Sequence, residues 1–189
     1  MKHYPVVIIG AGTSGLTAAC LLEKYKIPYL LVEQSEQLVA EPRPVLIHKH
    51  TLQIYERLGI SQEAITSGHI YHKMGLYING KRTNDFSFSE ILPFDEPFDF
   101  ILSINKDDND NLLNLRCLGK YGKTLWHTKV VGFHDNGDEI IATLKIDNDK
   151  TETITCNYLL AADGAKSKVR DSLGISFSGD MSDDIFIMA

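Results

Sequence analysis

The chain has 189 residues, 43% apolar and 23% charged, and its 19 Lys and Arg against 25 Asp and Glu leave a net charge of −6. That balance suits one sizeable globular domain and offers no basic footprint for nucleic acid or an anionic membrane surface. No apolar run approaches the roughly 18 residues needed to cross a bilayer, and Cys20, Cys117 and Cys156 form no Cys-x-x-Cys pair, so they read as reduced core thiols of a cytoplasmic protein without a signal peptide.

Val6–Ile9 is a continuous β-branched run, the pattern of a strand buried on both faces of a parallel sheet. It enters G-A-G-T-S-G, which places Gly10, Gly12 and Gly15 in G-x-G-x-x-G spacing ahead of a helical stretch ending near Tyr25. Tyr29–Val32 is a second buried strand closed by Glu33, completing a β-α-β unit. Pro42 and Pro44 then break the chain. Pro44 suits a helix start, and Val45, Leu46, Leu52, Ile54, Tyr55 and Leu58 recur at near-helical spacing up to a stop at Gly59.

From Tyr71 the period changes to alternation around Asn79-Gly80, a hairpin signal, and Phe98–Ile104 reads as another strand. Asp108 or Asn109 caps a helix with an apolar face of Leu112, Leu113, Leu115 and Leu118, stopped at Gly119. Strands at about 125–134, 139–147 and 151–157 follow, with Trp126 as core. N-Y-L-L-A-A-D-G and the residues after it then read as strand, glycine turn and short helix. A new strand opens at Asp184 and is still apolar at Ala189, which reads as an unfinished end. The element order predicts an α/β Rossmann-like nucleotide-binding domain with antiparallel strands inserted in it.

The first loop carries the clearest chemistry. Gly10 permits a tight turn, Gly12 lets the backbone approach a pyrophosphate, and Gly15 lets the helix pack closely on the sheet. Phosphates then meet the free N–H groups of the helix start at Thr13 and Ser14, at the positive end of its dipole. Glu33 follows Gly15 by eighteen residues, where an acid bonds a ribose 2′-hydroxyl and repels a 2′-phosphate, so the ligand is FAD or NAD rather than NADP. Near the other end, Gly164 allows a second tight turn, Asp163 offers an acceptor, and Arg170 can fix that turn. His48 and His50, spaced i, i+2 on the predicted helix, fall on different faces and make no metal pair. The acidic run 107–110 lacks the glycine and glutamate of a calcium loop and reads as a helix N-terminal charge cluster. Tyr71, Tyr77, Phe86 and Phe88 read as sheet packing ahead of a substrate cavity.

The strand followed by Asp163-Gly164 and Ser167-x-x-Arg170, together with the first glycine motif, resembles the flavin-dependent aromatic hydroxylases, the class A flavin monooxygenases typified by para-hydroxybenzoate hydroxylase. The resemblance implies FAD as cofactor and NAD(P)H as co-substrate, with the Asp163–Arg170 segment serving both. It also implies an FAD contact for Arg43 in E-P-R-P, and for Lys106, which stands where the family carries glutamine, with Asn105 in place of a proline. In such enzymes NAD(P)H reduces FAD, and a hydroperoxyflavin hydroxylates an aromatic or polyketide-like small molecule.

The resemblance covers about residues 3–189, the first half of such an enzyme. It implies a division into FAD-binding parts at 1–70 and 105–175, an inserted substrate-domain segment at 71–104, and the start of a substrate-domain strand at 176–189. The family's third fingerprint, a Gly-Asp before a small-residue and histidine run, does not match Gly179-Asp180. The expectation is therefore an N-terminal portion whose apolar sheet surface is covered by a complementing C-terminal half or by homo-oligomerisation. The alternative is a non-catalytic FAD- or nucleotide-binding half-protein. No catalytic acid or base emerges from the sequence.

Overall fold

A computed structural model describes residues 1–41, 43–91, 97–147, 150–180, 183 and 185. The expected strand at Asp184 lies outside the described residues. In chain order the elements are β1 (Lys2–Ile9), α1 (Thr13–Lys24), β2 (Tyr29–Val32), β3 (Pro44–Ile47), α2 (Lys49–Leu58), α3 (Ser61–Thr66), β4 (His69–Tyr71), β5 (Lys73–Ile78) and β6 (Lys81–Ser87). They continue with α4 (Phe88–Ile91), β7 (Ile101–Asn105), α5 (Lys106–Cys117), β8 (Gly122–Leu125), β9 (Thr128–Asp135), β10 (Ile140–Ile146), β11 (Lys150–Ala161) and α6 (Lys168–Ser172). None of the described helices is long and apolar enough to cross a membrane.

The main sheet has the order β8-β2-β1-β11-β10-β9. Its β8, β2, β1 and β11 run parallel, while β10 and β9 return antiparallel. β11 belongs to both parts: Ile154 to Ala161 pair with β1 and Lys150 to Cys156 pair with β10. The β9–β11 meander therefore folds over one face of the parallel strands while helices cover the other. This explains the unbroken apolar runs of β1 and β2. Ile8, Tyr29 and Leu31 pack on the helix side with Leu16, Leu52 and Leu113. Val7, Leu30 and Val32 pack against Ala142, Leu144 and Ile154 of the meander. Cys20, Cys117 and Cys156 are buried free thiols, as expected for core positions.

Two smaller sheets branch from this frame, β3-β7-β4 and the β5-β6 hairpin. The hairpin turns at Asn79 (φ 52°) and Gly80 (φ 72°), as the Asn-Gly pair predicts. Of the aromatics expected to pack, Tyr77 on the hairpin and Tyr71 at the end of β4 are exposed, with Arg82 over the Tyr77 ring at 6.0 Å, whereas Phe86 and Phe88 are half-buried.

The expected helix start at Pro44 is instead strand. Pro44–Ile47 pairs with Leu102–Asn105, burying Ile47 and packing Val45 while Leu46 stays exposed. Proline is tolerated because β3 lies at the edge of its sheet, where a missing N–H costs no ladder bond. The helix begins only at Lys49, and Gly59 closes it in the left-handed region (φ 75°) as predicted. The N-cap position of α5 is Asn105, which makes no side-chain cap bond, and not Asp108 or Asn109, and the buried stripe is Asn109, Asp110, Leu113 and Cys117. Leu115 and Leu118 face solvent because about 100° per residue carries them round to the far side from Leu113. The single strand expected at 125–134 breaks at Trp126 and His127 (φ 50°), separating β8, beside β2, from β9, beside β10. Trp126 is only partly buried and packs against the helix-side core.

Candidate functional site

The carboxyl ends of β1, β2 and β11 lie side by side, with Ile9 level with both Val32 and Ala161. In open α/β sheets the crevice beyond these ends is where ligands bind. The chain leaves β1 through Gly10, whose left-handed backbone (φ 99°) donates an N–H to Val32 O at 2.8 Å. A Cβ at Gly10 would stand 2.4 Å from Ala162 O, and one at Gly15 would stand 1.9 Å from Gly10 O. Gly12 differs: a Cβ there would meet nothing within 4 Å. Two glycines thus close the loop on the sheet, and the third opens it outward.

α1 begins at Thr13 with Gly12 as its cap residue and no side-chain cap bond. The first helical hydrogen bond runs from Leu16 N–H to Gly12 O at 2.9 Å, so the N–H groups of Thr13, Ser14 and Gly15 have no intrahelical acceptor. Glu33, at the end of β2, accepts the Ala11 N–H at 2.7 Å through Oε2 and the Ser35 N–H at 2.9 Å through Oε1. An ionised carboxylate accepts about four hydrogen bonds, so each oxygen keeps capacity for a hydroxyl donor.

Gly10, Gly12, Glu33, Asp163, Gly164 and Lys166 share one cleft of about 430 Å³. On its far wall β11 turns at Gly164 (φ 78°) into α6. Asp163 Oδ2 accepts the Lys168 N–H at 2.7 Å and the Val169 N–H at 3.4 Å. Burial pushes this carboxyl upward, but the Ser167 hydroxyl and those backbone donors outweigh it and hold it below its ordinary value. Ser167 caps α6 by accepting the Arg170 N–H at 3.0 Å. Arg170 Nη1 donates to Ala165 O at 2.9 Å, and its guanidinium lies 4.4 Å from the Phe177 ring centre. Arg170 thus fixes the turn, as its position in the sequence suggested. A second depression of about 560 Å³ on the other side of this turn is lined by Ser14, Gly164, Ser167 and Arg170.

Arg43 and Lys106 meet at the start of α5, where the Lys106 N–H bonds Arg43 O at 2.9 Å. The Arg43 side chain donates to Glu41 Oε2 at 3.2 Å. Lys106 Nζ lies 2.8 Å from Asp110 Oδ2 and 3.7 Å from Glu41. Burial pulls the Lys106 ammonium down, but the bond and charge of Asp110, with Glu41, outweigh it and leave the group above its ordinary value. Asp110 in turn accepts the Thr13 hydroxyl at 2.6 Å. The chain Arg43–Glu41–Lys106–Asp110–Thr13 therefore joins the proline-rich segment to the glycine loop. Sequence reasoning missed Asp110, although its i, i+4 spacing from Lys106 was a usable signal.

The residues 3–188 match the family model of the FAD binding domain. The chain belongs to that family. This FAD-binding domain is 23% identical to pentachlorophenol 4-monooxygenase of Sphingobium chlorophenolicum over 93% of its own length and 32% of that protein's. It is 26% identical to 6-methylpretetramide 4-monooxygenase of Streptomyces rimosus, covering 93% of this chain and 31% of that one. The domain thus spans about a third of the length of these curated relatives. Its fold is that of p-nitrophenol 4-monooxygenase PnpA from Pseudomonas putida DLL-E4, with a TM-score of 0.88 at 20% identity over 95% of this chain and 46% of that one. The residues present fit the adenosine-diphosphate end of FAD. The backbone at Gly12 is open to close approach, the helix start beside it has uncapped donors, and Glu33 keeps acceptor capacity at the strand end.

Proposed function

We propose that this chain is the FAD-binding portion of an NAD(P)H-dependent monooxygenase that hydroxylates an aromatic or polyketide-like small molecule. The observation that carries the reading is the contrast within one loop. Gly10 and Gly15 are closed against backbone, while Gly12 opens onto free space at an uncapped helix start, beside a carboxylate at the end of β2. In this reading the backbone of Gly10, Gly12, Thr13, Ser14 and Gly15 holds the diphosphate. Glu33 accepts the ribose hydroxyls, Arg43 supplies positive charge from the segment before β3, and Asp163, Gly164 and Arg170 form the facing wall. The names of the relatives, one acting on a chlorinated phenol and one on a pretetramide, support the substrate class.

FAD, when bound, supplies the redox and oxygen chemistry. The chain's own residues bind it and fix its adenosine end. The stretches 1–70 and 105–175 form the cofactor frame in this reading. The exposed hairpin within 71–104 belongs to the substrate side, to be joined by a complementing C-terminal half or a second copy.

Titration of the purified chain with FAD, read by flavin fluorescence, tests the cofactor assignment, and substrate-stimulated NADH or NADPH oxidation by the full-length protein tests the reaction. Near-stoichiometric FAD binding displaced by ADP is expected. A chain that binds ADP but no FAD overturns the monooxygenase reading in favour of a non-catalytic nucleotide-binding protein, and NAD binding without flavin points to a dehydrogenase.

A further inference from the structure

The glycine loop is held from behind by a buried acid. Asp110 on α5 is 3% exposed, and its Oδ1 accepts the Thr13 hydroxyl at 2.6 Å while Oδ2 accepts the Lys106 ammonium at 2.8 Å. Asn109 Nδ2 approaches the same carboxylate at 3.4 Å, and Asn109 Oδ1 accepts the Tyr55 hydroxyl at 2.7 Å. The acid is therefore anchored to α1, α2 and α5 together.

A carboxylate at this place has two opposing effects. Through the Thr13 hydroxyl it fixes the first residue of α1 and hence the direction of that turn's N–H groups. Through its charge it opposes an anion at the same helix end, and away from bulk water such repulsion is several-fold stronger than in solution. Lys106 removes the second effect and leaves the first intact. Its side chain is 15% exposed and lies between Asp110 and Glu41. The ammonium is held between the buried Asp110 and the exposed Glu41, a poor arrangement for a direct ligand of the cofactor.

We propose that Asp110 and Lys106 are a charge-compensated positioning pair for the diphosphate-binding turn: Asp110 orients Thr13, Lys106 neutralises Asp110, and the Lys106 ammonium makes no direct bond to the ligand. The proposal rests on the reading that the glycine loop holds the ADP part of FAD. It gives the lysine that stands at the family's glutamine position a different task from the one resemblance assigns.

Calorimetric titration with ADP of the wild type, Lys106→Gln, Asp110→Asn, the double variant and Thr13→Val tests it. Lys106→Gln leaves an unpaired buried carboxylate beside the diphosphate and is expected to weaken ADP binding about tenfold or more. The double variant keeps an acceptor for Thr13 with no net charge, and it is expected to return to within about threefold of wild type. A double variant as weak as Lys106→Gln would mean that the lysine contacts the phosphate itself and overturns the proposal. Should Lys106→Gln fail to fold, as loss of one partner of a buried pair can cause, the double variant against wild type decides alone. Thr13→Val is expected to lose about three- to tenfold in ADP affinity, and an unchanged affinity overturns the orienting role of Asp110. A wild-type chain that binds neither ADP nor FAD overturns the nucleotide reading itself, and the pair's role with it.

Discussion

Two strand-turn-helix corners stand side by side, one leaving β1 into α1 and the other leaving β11 into α6, with Ile9 and Ala161 as neighbours at their bases. The first corner keeps its helix-start donors unbonded by side chains and presents Gly12 to open space. The second satisfies its own donors: Asp163 accepts two backbone N–H groups, Ser167 caps α6, and Arg170 bonds Ala165 O. The same local architecture thus appears once with its helix-start donors uncapped and open, and once as a self-capped wall. A glycine turn before a helix therefore does not by itself leave donors free for a ligand: the partners around it decide.

The comparison breaks first at Gly15. A Cβ there would stand 1.9 Å from Gly10 O, a backbone atom that cannot turn aside. Gly15→Ala is expected to cost about 3 kcal/mol or more, or to prevent folding, and a thermal melt matching wild type would show that the close approach is not required. Gly12→Ala separates binding from folding in the same loop. Its backbone is ordinary (φ −74°) and its surroundings are empty, so the melting free energy is expected to stay within about 0.5 kcal/mol. FAD and ADP affinity is expected to fall about tenfold or more as the added methyl meets the diphosphate. Equal affinity in a fluorescence titration would remove Gly12 from the site.

The corner leaving β1 was the more legible of the two. In β1, α1 and β2 the β-branched run, the glycine spacing and the terminal acid agree with one another, so local and global preferences coincide. The place of Glu33, just after β2 and beside the glycine loop, was legible from spacing alone. Asp110 was not, because an acid inside an acidic run at a helix start reads as solvated; its spacing from Lys106 hints at a pair, and the approach of Thr13 selects it. Pro44–Ile47 was misread because a short apolar run fits either period, and its pairing with the distant β7 decides. The buried stripe of α5 was misread in part for a related reason: Leu112 and Leu113 do meet the core, but the stripe is polar at Asn109 and Asp110 where it backs onto the glycine loop, so a rule that follows leucines added Leu115 and Leu118 from the exposed side.

At the wall, Asp163→Ala removes an acceptor from two helix-start donors and is expected to cost about 1–2 kcal/mol. The pH dependence has a definite sign. The folded-state carboxyl titrates below its ordinary value, so its ionised form contributes stability above that value, about 3.9 in an unfolded chain, and loses it as pH falls through the folded-state value. Urea midpoints of wild type and Asp163→Asn are expected to differ at neutral pH and to converge in the acid range below about pH 4. A gap that persists there assigns the effect to shape instead of charge.

The smallest effect sharpens the comparison most. Ser167→Ala removes the side-chain cap of α6 and is expected to cost about 1 kcal/mol in a denaturant melt. It should leave ADP affinity unchanged, because its oxygen is already bonded to the Arg170 N–H and belongs to the wall's internal set. A stability loss without a binding loss at Ser167, set against a binding loss without a stability loss at Gly12, separates the two corners by experiment. If Ser167→Ala weakened ADP binding as much as Gly12→Ala, the second corner would be part of the receptor, and self-satisfied donors would no longer distinguish the turn that frames a ligand from the turn that holds it.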